Sequence, residues 1–354
     1  MIQLAWELFT GRVFGETVLF VGETDERSLA FGFEELHRAN LPRTGAVYEE
    51  GRDFVADRRL GTIRRLKGSR MPYVKEDALY PKTKGAVFFP QPHADAIGNA
   101  PGSPTGNVLF SDGDFFLRHA VAFDYTAKRK LPVVPVEPGK LPRYAAKVRR
   151  KELVKIAFIG DSITNGLNAS GRIGVPPYRA PYPGLVAEWL AAKTPCAFCN
   201  TAVSGTGSAK GPEHLAEALK SQTPDLLFVA YGMNELGSEP AEFRQRIETI
   251  LITALNANSD MEFVLISPMR KNQEWGVQLP DADRMIEHEL GKIARGSLSI
   301  ALAPVNRIWR QIEKHKTFID LTGNGVNHPN DFGHAVYAQV VTDVLADAID
   351  TADL

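Results

Sequence analysis

The sequence predicts an α/β protein in which a doubly wound, parallel five-stranded sheet follows a smaller β-sandwich-like domain. Three observations carry that prediction. From Val154 onward, apolar runs alternate with segments of helical periodicity, the order that builds a parallel sheet with right-handed crossovers. Before about residue 125 the chain instead shows short β-prone segments, split by turn signals at roughly 8–12 residue spacing, as in sandwiches and barrels. Between the two parts, Pro132, Pro135, Pro138 and Pro142 punctuate a linker. At 354 residues the chain is long for one average domain. The expected division is residues 1–128 as the β domain, 129–153 as a Pro-rich linker with a short helix, and 154–354 as the α/β domain.

In the first part, Thr17–Val21, Ala46–Tyr48, Phe54–Ala56 and Thr62–Arg64 are expected strands, separated by Glu-Gly, Leu-Gly and Lys-Gly-Ser. Gln91–Gly106 is dense in Pro, Gly, Asn and Ala and predicts a long exposed loop. Loops of that length in a compact domain are more often functional than idle. Ala120–Tyr125 alternates cleanly, with Val121, Phe123 and Tyr125 on one face. The basic run Lys147–Lys151 reads as a solvated helix face. In the second part, strands are expected at Val154–Ile159, Cys196–Ala202, Leu226–Tyr231, Phe263–Ser267 and Ser299–Ala303. Helices are expected at Tyr182–Lys193, Glu213–Gln222, Ala241–Asn256, Ala282–Arg295 and Arg307–Lys314. A last helix, from about Phe332, carries Tyr337, Val340, Val341, Val344, Leu345 and Ile349 on one stripe.

Composition narrows the function. Hydrophobic content of 44% is ample for packed cores, and a formal net charge of −1 gives no electrostatic reason to expect nucleic acid or an anionic membrane as partner. No apolar stretch approaches the ~20 residues of a membrane helix. The start, Met1-Ile2-Gln3-Leu4-Ala5-Trp6-Glu7, lacks a basic segment followed by an apolar one. A cytoplasmic location is therefore expected, although a mature secreted or periplasmic chain would begin the same way. The two cysteines, Cys196 and Cys199, sit where a strand enters a turn. That placement suits two small buried thiols rather than zinc or a redox pair, which needs further ligands or a helix start.

Four places fall just past predicted strands or before the last helix: Ser162 in its Gly160-Asp161-Ser162-Ile163 turn, Asn200–Gly205, Tyr231–Glu235 and Gly325–Asn330. In a doubly wound sheet the C-terminal strand ends share one edge, so these segments can converge. Acyl transfer needs a nucleophile, a base within hydrogen-bond reach, and donors aimed at the developing oxyanion. Ser162 is the candidate nucleophile and His328 the candidate base. The N–H groups of Ser162 and Gly205 and the Asn234 amide are candidate oxyanion donors. None of these roles calls for a metal or cofactor.

With these four segments in this order, the chain resembles the GDSL/SGNH hydrolase superfamily from about Val154 to its end. G-D-S-I matches the nucleophile block, N-T-A-V-S-G the glycine block, G-M-N-E the asparagine block and N-H-P-N-D the histidine block. The resemblance implies a flavodoxin-like sheet and metal-independent ester hydrolysis, with Ser162, Gly205, Asn234 and His328 in the roles above. It also implies an aspartate three residues before the histidine, where this chain has Gly325. The third member is then a backbone carbonyl beside a Ser–His dyad, Asp320, Asp331, or a more distant acid. Asp331 also suits the first turn of the last helix, where negative charge is favourable. Asp161 is expected to shape the nucleophile turn. His328, Asp331 and His334 form an H-x-x-D-x-x-H pattern, but positions six apart on a helix lie about 120° apart, which argues against a metal site. Asn168, Arg270 and Trp275 are candidate substrate contacts on the active edge. The β domain ahead of the hydrolase part is similar to that of two-domain carbohydrate esterases, which implies a saccharide or other small-molecule ester as substrate, an acetylated saccharide foremost. A lysophospholipase, a thioesterase, another small-acyl esterase, and a non-catalytic glycan-binding protein are the alternatives.

Overall fold

The computed structural model describes residues 3–235, 238–276 and 281–351. Five strands, Val154–Gly160, Cys196–Asn200, Leu226–Ala230, Glu262–Ile266 and Ile300–Ala303, pair in parallel throughout. The second strand lies outside the first, and the third, fourth and fifth follow on the other side. This is the flavodoxin-like order, with the crossover reversing beside the first strand, where open sheets bind their ligands. Strand bounds fall within two residues of the sequence expectation.

Period-2 alternation divides the sheet into two buried faces. Ile156, Phe158, Leu226, Phe228, Val264 and Ile266 face the helices Pro142–Arg149, Tyr182–Ala191, Val305–Ile312 and Asp331–Thr351. Ala157, Ile159, Leu227, Val229, Phe263 and Leu265 face Gly211–Ser221, Pro240–Ala257 and Ala282–Ala294. Both faces being covered, the strands read as continuous apolar runs. Cys196 packs on the first face and Cys199 on the second, both as free thiols. Burial raises both thiols, Cys196 to about 11.

The last helix departs from expectation. It is buried on nearly every side over Asp331–Leu345, not along one stripe. The reason is a second sheet packed beyond it. Trp6–Glu7, Arg12–Leu19, Ala120–Ala127, Phe33–Leu41 and Ala46–Val47 form, in that order, an antiparallel sheet. Glu26–Ser28, Thr62–Arg65 and Phe54–Asp57 form a smaller one. Val121, Phe123 and Tyr125 are fully buried, with a register shift between Phe123 and Tyr125. Their apolar cluster runs on without a break into Trp309, Phe332, Val336 and Val340. Polar ties reinforce this contact: Trp6 N donates to Gln339 Oε1 at 3.3 Å, Thr17 Oγ1 to Asp320 O at 2.6 Å, and Asn330 Nδ2 to Thr17 Oγ1 at 3.0 Å. Gln91–Gly106 is largely exposed, yet Ala96 and Ala100 are buried, and Ala96–Ile97 pairs with Val108–Leu109. No helix among the described residues is long and apolar enough to cross a membrane.

Candidate active site

The first parallel strand ends at Gly160, where a Cβ would lie 2.5 Å from Thr164 Oγ1 and 2.6 Å from Ala230 O. Only glycine lets the chain turn so close to the neighbouring strand. Asp161 then caps the one-turn helix Ser162–Asn165, accepting from Ile163 N at 3.0 Å. Burial pushes the Asp161 carboxyl up to about 7, against the N–H donors of Ile163 and Met233. Asp161 thus shapes the turn, and Ser162 sits at the start of the helix, only 4% exposed.

The candidate base, His328, arrives on a loop that is hydrogen-bonded onto itself. Asn324 Oδ1 accepts from the N–H groups of Val326, Asn327 and His328 at 2.9, 2.9 and 3.0 Å. Thr322 Oγ1 and Gly323 N both donate to His328 O. Asn272 secures the loop from outside, through its Nδ2 to Gly325 O and its N–H to Val326 O. So held, His328 Nε2 lies 2.9 Å from Ser162 Oγ.

The other ring nitrogen, Nδ1, lies 2.7 Å from Asn168 Oδ1. Neither expected carboxylate is there. Asp320 instead accepts from Leu19 N at 2.8 Å and from Thr317 Oγ1 at 2.8 Å, so it serves the strand Arg12–Leu19 and a capped turn. Asp331 accepts from Ser170 N at 2.8 Å at the start of the last helix. Asn168, expected to line the substrate pocket, is the histidine's partner. Its φ of +65° lies in the left-handed region, which asparagine tolerates better than most side chains. Its Nδ2 donates to Ser111 O at 3.2 Å and to Gly323 O at 3.1 Å. Both are acceptors, so the amide oxygen faces the ring and Nδ1 carries the ring proton. Nε2 is then the bare nitrogen beside the serine hydroxyl. Burial, with His334 nearby, holds His328 down to about 3, which keeps the ring neutral.

The other two segments meet the turn that carries Ser162. Val203 N donates to Gly160 O at 3.1 Å, Asn165 Nδ2 to Ala202 O at 2.8 Å and Asn200 Nδ2 to Thr164 O at 2.7 Å. Gly205, at φ +76°, follows in that loop. Asn234 Nδ2 donates to Thr206 O at 3.0 Å, which puts its amide against the Gly205 loop. Arg270 and Trp275 have partners within the protein. Arg270 Nη1 lies 3.6 Å from Glu313 Oε2. Trp275 packs with Ala100, Val108, Phe110 and Val326, with Lys271 Nζ 4.9 Å from its ring centre. His334 is wholly buried, stacked on Tyr182, and 3.3 Å from Leu167 O through Nε2. Among the described residues no group of three or more His, Cys, Asp or Glu side chains is placed to hold a metal ion.

Sequence reasoning missed Ser111, Asn272 and Asn324. Only Asn324 left a signal, as an asparagine in a Gly-rich turn, where its side chain commonly binds nearby backbone.

Residues 158–336 match the family model of the GDSL-like lipase/acylhydrolase family. No curated protein matches the chain. Solved structures with similar folds include a two-domain esterase (CEX) active on acetylated mannans, at 21% identity over 61% of this chain and 57% of that one, with a TM-score of 0.47. They also include a lipase/acylhydrolase from Enterococcus faecalis (17% identity, 53% of this chain, 93% of that one, TM-score 0.42). An acetyl-xylooligosaccharide esterase from Geobacillus is a third (19% identity, 53% and 92%, TM-score 0.42). The chain spans a little over half the length of the two-domain esterase.

Proposed function

The chain belongs to the GDSL-like lipase/acylhydrolase family, and from that premise we propose that it hydrolyses short-chain acyl esters through an acyl-enzyme on Ser162. The observation that carries this reading is the run of contacts from Ser162 Oγ to His328 Nε2, and from His328 Nδ1 to Asn168 Oδ1. Ser162 Oγ attacks the ester carbonyl while Nε2 takes its proton. The resulting oxyanion is held by the N–H groups of Ser162 and Gly205 and by the Asn234 amide, each such donor stabilising it by about 3 kcal/mol. The intermediate collapses, His328 returns the proton to the leaving alcohol, and water repeats the sequence on the acyl-serine to release the carboxylic acid. The imidazolium formed on the way faces an amide oxygen, so Asn168 orients the ring and stabilises its charge only as a dipole.

An acetylated saccharide is the proposed substrate, the β-rich N-terminal part standing beside the hydrolase part as in carbohydrate esterases. Ser162→Ala should abolish hydrolysis of a chromogenic acetate ester with an unchanged circular dichroism spectrum; undiminished turnover would sink the reading. A series of esters from acetyl to octanoyl tests the acyl group, and a preference for octanoyl would exclude a deacetylase.

A further inference from the structure

The amide that orients the base is itself oriented, and one of the two groups that orient it lies outside the region matched to the family, on the segment Leu109–Ser111. Asn168 has an oxygen and a nitrogen of nearly equal size, so its neighbours decide which faces His328. Reversed, it would present hydrogens to Nδ1 and move the ring proton to Nε2, where the ring cannot accept from Ser162. Reversal is opposed because it would set Oδ1 against the carbonyls of Ser111 and Gly323.

The segment is seated by close approaches as well as hydrogen bonds. Ser111 N donates to Asn324 O at 3.0 Å, and Phe110 N to Asp95 O at 3.2 Å. Gly325 has φ +87°, and a Cβ on it would fall 2.2 Å from Leu109 O. A Cβ on Gly323 would fall 2.4 Å from Asn168 Cβ. Bare glycines at these two positions let the histidine loop fit between Leu109 on one side and Asn168 on the other. The space any side chain at position 325 would need is filled by Leu109.

We propose that Leu109–Ser111 is a positioning element of the catalytic site: it occupies the space beside Gly325 and, through the Ser111 carbonyl, fixes the Asn168 amide and hence the tautomer of His328. This rests on the serine-esterase reading, but the tautomer can be measured without turnover. In the full-length protein, 15N shifts of the His328 ring should show the proton on Nδ1. Ser111→Pro removes the N–H that ties the segment to Asn324. It should yield a mixture of tautomers and a kcat on a small acetate ester lower by roughly 100-fold, with KM little changed. Asn168→Asp places a second acceptor oxygen against the two carbonyls and should also lower kcat by about 10-fold or more, despite the charge it offers the imidazolium. A folded Ser111→Pro variant with wild-type tautomer and kcat would overturn the proposal. So would an Asn168→Asp variant whose kcat matches that of the wild type, which keeps the test decisive if the proline variant does not fold. Wild-type protein that shows the Nδ1 proton but hydrolyses no ester would instead overturn the esterase reading.

Discussion

In the proposed mechanism His328 must be neutral to take the proton of Ser162, and its surroundings hold it down to about 3 through burial. Activity should therefore persist well below the ordinary histidine range. In kcat/KM measured from pH 4 to 9, the acid limb is expected far under 6.5, and a limb at 6.5 would show the ring to be solvated in the working enzyme. The same shift has a cost for stability. In the unfolded chain His328 and His334 titrate near 6.5, whereas in the fold they are lowered to about 3 and about 4. Below pH 6.5 the unfolded state binds more protons, so the stability these rings contribute above that pH is lost as pH falls toward their folded values. Asp161 and Glu313, both raised to about 7, work in the opposite direction over about pH 4 to 7, because they bind protons preferentially in the fold. Ser162 and His328 were legible in the sequence because each sits in a compact block at an element boundary. Asn168 was not, because its role depends on a left-handed turn and on carbonyls 57 and 155 residues away.

At the scale of elements, the strand–turn–helix around Ser162 depends on the bare Gly160. Gly160→Ala would force a methyl against Thr164 and the Ala230 carbonyl, and backbone cannot swing aside as a flexible side chain can. We expect a loss of about 1–3 kcal/mol in urea unfolding, together with a fall in kcat as the nucleophile turn shifts. The parallel strands were readable because burial on both faces selects apolar residues throughout. Phe33–Leu41 was not. Its sequence, Phe-Glu-Glu-Leu-His-Arg-Ala-Asn-Leu, is rich in exposed charge and offers no clean alternation. It is a strand because Ala120–Ala127 pairs with it, a long-range contact that outweighs local preference.

At the scale of the molecule, the antiparallel sheet is fastened to the stretch that leads into the histidine loop. Lys316 Nζ lies 3.2 Å from Glu16 Oε1 with both side chains wholly buried, and it donates to Thr17 O at 2.7 Å. Glu16 also accepts from Ala30 N at 2.8 Å and from Tyr125 Oη. Lys316→Met would leave that carboxylate buried without its cation, at a cost of about 3–5 kcal/mol, measurable as a lower denaturation midpoint. The change of pattern near the prolines was plain in the sequence. The contacts between the parts were not, since Thr17 meets Asp320 and Asn330 across 303 and 313 positions. One more consequence follows from an amide in place of an acid. At rest the trio of hydroxyl, imidazole and amide carries no formal charge, and the whole protein carries only −1. In the proposed mechanism charge separates only during turnover, between an imidazolium and an oxyanion a few ångströms apart, well inside the ~10 Å over which 0.1 M salt screens. Ionic strength should therefore leave kcat/KM for a neutral ester nearly flat, and a steep salt dependence would reveal a charged participant in the rate-limiting step.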